Sequence, residues 1–387
     1  MPAVENASTS SAPLLSVSTG SPQRLMSIDA LRGFVMFWII GADALFYALG
    51  KMFPTGPIHS IALQLDHVEW EGLRFYDLIF PTFVFVIGVS IVFSVQKIVS
   101  TEGRGAAARR ILRRGVLLYL LGLFYYGGFS GHFDRIRLVG VLQRLAFCYT
   151  CTALLFCWLR PRSLVAVCAG ILLGYWALLA FVPVPGVGPG NFAEGKNLTN
   201  YIDREYLPLR KWDGDHDPEG LLSNLPAISS CLLGVFAGLI LRNNSIDARK
   251  RTQLLLGGAL ALIAAGFIWS FWFPVIKKIW TSSYVLMAGG FSSLFLTFFY
   301  WFIDVKKARD WAQPFVWIGT NAITAYMLDN LVDFGKLGAR LAGGDLKDLL
   351  NANVHQGFGD LMAAAAGLFC ALIIMRFLYK QKLFLRL

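Results

Sequence analysis

The sequence predicts an all-α polytopic membrane protein of about ten transmembrane helices with both termini cytoplasmic. Three observations predict it. Hydrophobic residues make up 56% of the 387 positions and charged residues only 15%, too apolar for an ordinary soluble chain of this size. The apolar runs recur at spanning length, roughly 20 residues. Lys and Arg concentrate on alternate connections, which is how topology is encoded.

Taken in order, residues 1–23 are rich in Ser, Ala and Pro and lack an apolar stretch of signal length. They are expected to be a disordered tail ahead of a transmembrane domain, 24–387. Apolar runs bounded by charged or Gly/Pro flanks predict helices near 29–50, 73–96, 110–128, 138–159 and 163–183. A second group is predicted near 222–241, 252–273, 282–304, 313–333 and 359–379. An even number of crossings puts both termini on one side. That side carries 21 Lys and Arg and the opposite side 13, with Arg144 inside a span, so the termini are expected to be cytoplasmic. All five histidines, His59, His67, His132, His216 and His355, then fall in outer connections, and the chemistry is expected to face outward.

The net charge of +11 sits in short clusters between apolar runs, so no nucleic-acid partner is expected; the partner is the lipid bilayer. The six cysteines lie within apolar segments without metal-site spacing and read as core residues. No metal is expected. The longest outer connection, 184–221, is rich in Gly, Pro, Asp and aromatics, and a loop of that length inside a compact protein is more often a lid or binding surface than a linker. No internal repeat is evident, which weakens an inverted-repeat transporter reading.

The polar residues that carry chemistry begin with His67-Val68-Glu69-Trp70-Glu71-Gly72 and continue at Asp77-Leu78-Ile79-Phe80-Pro81. A histidine just outside a membrane helix and an aspartate just inside it are costly in lipid and point to a buried site. If Asp77 holds one imidazole nitrogen, the other is left as a base near working pH; the alternative is a solvated loop histidine. Trp70 can wall off water. Asp43 approaches the outer end of the first span, where it can pair with an arginine or reach His67 alongside Asp77. On the inner side, Arg32 with Arg109, Arg110, Arg113 and Arg114 can cradle an anionic cofactor, although topology alone also demands arginines there. Arg144, beside Gln143 inside a span, needs a partner or a polar cavity. Asn321 in Gly319-Thr320-Asn321-Ala322 serves either as interhelical glue or as part of a polar stripe with Tyr326 and Asp329. In the 184–221 loop, Trp212 can stack on a sugar ring while Asp213, Asp217 or Glu219 hold its hydroxyls or amine; Asp217-Pro218-Glu219 also reads as a helix boundary.

Several of these segments together resemble the transmembrane acyltransferase family typified by heparan-alpha-glucosaminide N-acetyltransferase. They are Arg24–Gly33, His67–Gly88, Gly140–Arg144, Asp217–Ser223, Leu233–Gly238, Trp280–Val285 and Gly319–Ala322, in order over almost all of the membrane region. The resemblance implies an enzyme that takes an acetyl group from cytoplasmic acetyl-CoA and delivers it to the amine of a glucosamine-type sugar on the other side. By motif position it implies a catalytic role for His67, with Asp77 beside it. Asp43 departs from the pattern, since the lysosomal member has asparagine there. The chain lacks that member's large lumenal N-terminal domain, which speaks against a lysosomal location and against heparan itself as acceptor; the resemblance to the shorter bacterial relatives implies the bacterial cytoplasmic membrane. Arg32, Arg113, Arg114, Arg144 and Asn321 are the expected acetyl-CoA contacts, and Trp70, Trp212, Asp217 and Glu219 the expected acceptor contacts. A homodimer is a compatible assembly. The competing class is a proton-coupled sugar or amino-sugar permease with His67, Asp43 and Asp77 as its relay.

Overall fold

The computed structural model describes residues 25–128, 130 and 132–385. The expected tail 1–23, with Arg24 and Arg386, lies outside the described residues. The all-α membrane class is borne out: among the described residues there are fifteen α-helices and no strand beyond two isolated bridges. Eight helical segments are long and apolar enough to cross a membrane.

The first crossing is not one straight helix. Helix α1 (Met26–Phe37) passes through a wide π turn, Trp38–Ala42, into α2 (Asp43–Met52). Gly41 in that turn has φ 128°, a conformation that a Cβ disfavours, so the kink is written into the sequence at that glycine. Helix α3 (Pro57–Gln64) follows outside the bundle.

Helix α4 (Ile79–Tyr125) has 47 residues, about 70 Å at 1.5 Å per residue and more than twice the roughly 30 Å of a hydrocarbon core. It folds at Gly103, whose φ is 85° and ψ 171°. The arms on either side measure about 36 and 33 Å, one crossing each. The two arms match the separate helices expected near 73–96 and 110–128, which meet at this glycine. The charged stretch between them holds the helix formers Ala and Arg, which keep it helical up to and away from the glycine.

Helices α5 (Val141–Trp158), α6 (Pro161–Phe181), α8 (Asn224–Arg242), α9 (Ala248–Ser270) and α10 (Ser282–Phe299) are the remaining long crossings before the C-terminal region. The 184–221 connection carries its own helix, α7 (Leu198–Tyr206), with Asn197 capping its start. The span expected near 313–333 is broken into α11 (Gln313–Gly319) and α12 (Ala322–Val332). Thr320 and Asn321 form the break. Helices α13 (Phe334–Ala342) and α14 (Gly344–Asn353) precede the last crossing, α15 (Phe358–Lys380).

Two glycine contacts set the helix spacing around the centre. A methyl group at Gly33 would lie 1.7 Å from the Phe315 carbonyl oxygen, and one at Gly319 would lie 1.8 Å from that of Asp29. Gly88 and Gly234 stand in the same relation to Cys231 and Phe85, at 1.9 Å each. Helices α1 and α11, and α4 and α8, therefore meet backbone to backbone, the role small residues play in membranes.

Candidate active site

His67 lies in the segment that joins α3 to the short 3-10 turn Phe75–Leu78. That segment is pinned to the connection before α10 by the Gly72 amide, which donates to the Val275 carbonyl at 2.9 Å, and by a bridge between Glu71 and Ile276. The pinning brings Lys277 to the imidazole. Nδ1 of His67 lies 2.8 Å from Oδ1 of Asp77 and 2.9 Å from Nζ of Lys277, which itself donates to Asp77 Oδ1 at 3.1 Å.

Asp77 is 1% exposed and held on several sides. Its Oδ2 accepts from the amides of Arg74 and Val68, at 3.1 and 3.4 Å, and its carbonyl accepts from the Tyr284 hydroxyl at 2.8 Å. A carboxylate so fixed orients the ring it touches. With Nδ1 donating to Asp77, Nε2, which lies 3.4 Å from the Lys277 ammonium, is the nitrogen with a lone pair to accept a proton. Burial pushes the Lys277 ammonium below the usual lysine range, and Asp77 opposes that shift. Asp43 does not reach the ring. It accepts from the Tyr76 hydroxyl at 2.9 Å, and the Tyr76 ring centre lies 4.8 Å from that of His67, so Asp43 acts on the imidazole through a tyrosine.

His67, Asp77 and Lys277 line an outer cavity of about 570 Å³ with Trp70, Trp212 and Glu219. The Trp70 indole donates to the Phe192 carbonyl at 3.0 Å, which fixes it as a wall. On the opposite side Arg137 is buried and grips Asp217 through two bonds, at 2.9 and 2.6 Å, and Glu219 at 2.7 Å. Its guanidinium sits 4.5 Å from the Tyr126 ring and 4.9 Å from the Trp212 ring. Burial raises the Glu219 carboxyl above its ordinary range, against the pull of Arg144 and Arg137. Burial disfavours charge on Arg137 too, yet Asp217 and Glu219 outweigh it and hold the guanidinium above its ordinary value. Asp217 also accepts from the amides of Trp212 and Glu219. All its acceptor capacity goes to the loop and Arg137, so it shapes the wall without lining the cavity.

A second, inner cavity of about 260 Å³ lies on the terminal side of the bundle. Arg32 and Arg114 line it, with Ser90, Tyr149, Thr320 and Asn321. Arg32 donates to the Ser90 hydroxyl at 2.8 Å, and Arg114 lies over the Tyr149 ring at 4.8 Å. Asn321 is 3% exposed, yet neither its amide nitrogen nor its oxygen has a hydrogen-bond partner. Buried amides are almost always paired, so this one has unused hydrogen-bonding capacity facing the inner cavity that it lines.

The two cavities share their walls. Val141 and Leu145 of α5 line the outer and the inner cavity respectively, as do Tyr326 and Ile323 of α12. Residues three or four apart on a helix are separated by about 4.5–6 Å along its axis, so roughly one turn divides the cavities.

The remaining expected contacts lie elsewhere. Arg113 is exposed and lines neither cavity, and Arg110 pairs with Glu102. Arg144 is 1% exposed. It bonds Ser223 and Asn224, its guanidinium lies 4.6 Å from the Trp280 ring, and it lines an apolar side groove with Glu219 instead of the inner cavity.

Comparison with known proteins gives this architecture a family. The chain is 30% identical to human heparan-alpha-glucosaminide N-acetyltransferase and 29% identical to the mouse enzyme of that name, each match covering 79% of this chain. The chain belongs to this family. It spans about half the length of these relatives, 52% of the human and 53% of the mouse protein. No family profile matches it.

Several segments that carried the family resemblance in the sequence gather at the cavities or at the glycine contacts. Gly33, Gly88, Gly234 and Gly319 are the close-approach positions, while His67, Asp77, Glu219, Trp280 and Asn321 line cavities. Sequence reasoning missed Lys277 and Arg137, which it counted only as topology-setting cations. Their partners are 200 and 80 positions away. The one local signal was that Lys277 lies three residues before the Trp280–Val285 motif.

Proposed function

We propose that the protein moves an acetyl group from acetyl-CoA on the terminal, cytoplasmic side to the amine of a glucosamine-type sugar on the outer face. The observation that carries this reading is the stacking of the two cavities on the same helices, with the buried unpaired amide of Asn321 in the inner one and His67 in the outer one. A long, thin acyl-pantetheine arm would span the roughly one helical turn between them. The nucleotide remains near Arg32 and Arg114, so the acetyl group crosses while coenzyme A does not.

At the outer end, Nε2 of His67 takes the proton of the sugar ammonium while Asp77 holds Nδ1. The amine nitrogen then forms the bond to the acetyl carbon, the carbon–sulfur bond breaks, and the thiolate leaves and is protonated. Positioned general-base catalysis of this kind contributes about 10²- to 10⁴-fold. Lys277 supplies positive charge beside the ring for the developing oxyanion. The acceptor sits between Trp212 and Trp70, with Glu219 facing its amine. The bacterial cytoplasmic membrane is the proposed location.

The His67–Asp77–Lys277 cluster also suits a proton-coupled permease, because titratable groups at the mouth of a bundle serve as proton relays. The test is acetyl transfer by purified protein in detergent, given labelled acetyl-CoA and glucosamine. Product formed without any membrane gradient supports the enzyme. No product in detergent, together with gradient-driven uptake of the sugar into vesicles, supports the permease.

A further inference from the structure

The 184–221 segment carries a second cluster of ionisable groups at the rim of the outer cavity. His216 is 6% exposed, and its Nε2 is buried without a hydrogen-bond partner. That nitrogen faces Oε1 of Glu194 at 3.5 Å and Oδ2 of Asp213 at 3.9 Å, and the three donor atoms lie within 4.8 Å of one another. Bonds of about 2.0–2.2 Å to a tetrahedral zinc ion give ligand-to-ligand edges of roughly 3.3–3.6 Å. One edge has that length already and the others need small side-chain shifts.

The second nitrogen of His216 is also engaged. Nδ1 lies 2.7 Å from Oδ1 of Asp215, the carboxylate-to-imidazole contact that fixes the ring of a metal-binding histidine and raises its basicity. A cation already stands between the two carboxylates. Lys278 Nζ is 2.9 Å from Glu194 and 3.0 Å from Asp213.

We propose that Glu194, Asp213 and His216 form a divalent-cation site of the zinc class, for which Lys278 is the competing internal cation. One imidazole and two carboxylates suit zinc or a neighbouring first-row ion better than calcium or magnesium. The site departs from the sequence expectation of no metal, and it does not depend on the proposed acetyl transfer. Binding would tie Glu194 to His216 across the segment and release Lys278 towards the outer cavity that it lines.

The test is calorimetric titration of Zn²⁺ into the full chain in detergent with any affinity tag removed, with Co²⁺ absorption reporting the geometry. One ion per chain is expected. His216→Ala and Glu194→Gln should each weaken binding at least tenfold. Lys278→Met should tighten it at least tenfold, because its competitor is gone, whereas a purely structural ion-pair cluster would gain nothing. Affinity unchanged in Glu194→Gln and His216→Ala, or no binding in the unaltered chain, overturns the site. If His216→Ala does not fold, Glu194→Gln, whose side chain is partly exposed, decides alone.

Discussion

The outer and inner cavities are built on the same helices but differ in how their polar groups are partnered. In the outer one, Asp77, Lys277, Arg137 and Glu219 are bound to one another, to Asp217 in the wall behind them or to backbone at 2.6–3.4 Å. In the inner one, Asn321 has no partner at either end of its amide and Arg114 Nε has none. A site whose charges are already satisfied is organised for chemistry, since its groups need no rearrangement when a transition state forms. A site with orphaned polar atoms is organised for a ligand that completes it. On the proposed function, this difference suits reaction in the outer cavity and donor binding in the inner one.

The most severe way to break this contrast is His67→Ala. On the proposed reading it lowers acetyl transfer by about 10³-fold, in the range of general-base effects, and leaves the thermal midpoint unchanged because the side chain is half-exposed. Loss of less than tenfold in a steady-state assay would remove His67 from the reaction. Asp217→Ala should behave in the opposite sense. It leaves the buried Arg137 charge with Glu219 alone and should cost about 1.5–3 kcal/mol of stability, the worth of a hydrogen bond to a charged group, read in denaturation of the detergent-solubilised chain.

Asn321→Leu probes the inner cavity. It should raise KM for the acyl donor about tenfold, the worth of one good hydrogen bond, with kcat little changed. An equal fall in kcat instead would place Asn321 with the reacting atoms and blur the contrast. The smallest effect is on the pH profile. Burial holds the Lys277 ammonium below the usual lysine range, so as pH rises its charge is lost sooner than that of an exposed lysine, and kcat/KM should fall along that basic limb. Lys277→Met should abolish this limb, and a basic limb unchanged in the variant would show that the Lys277 charge plays no part.

Much of this was legible in the sequence, for reasons that differ by residue. Apolar runs of spanning length must be helical in lipid, and all ten predicted stretches are in helices. Asp77 could be paired with His67 because only ten positions separate them and the connecting segment is short. The turn between the two arms of α4 was legible in the charged stretch around Gly103, whereas the break at Asn321 was not, because hydropathy carries through it. Lys277 and Arg137 were hidden for another reason. A lysine or arginine in an outer loop has the same local signature whether it faces solvent or a carboxylate 200 positions away, and only packing decides. The Asp43–Tyr76 contact was a near miss: the proximity to His67 was anticipated, but not the tyrosine between them.

The central claim, that the acyl group passes between two cavities one helical turn apart, is tested most directly in sealed proteoliposomes of uniform orientation. Labelled acetyl-CoA is supplied only on the face carrying the termini and glucosamine only on the other. Labelled N-acetylglucosamine on the glucosamine side, absent with His67→Ala, is the expected result. Product that forms only when donor and acceptor share one face would contradict it.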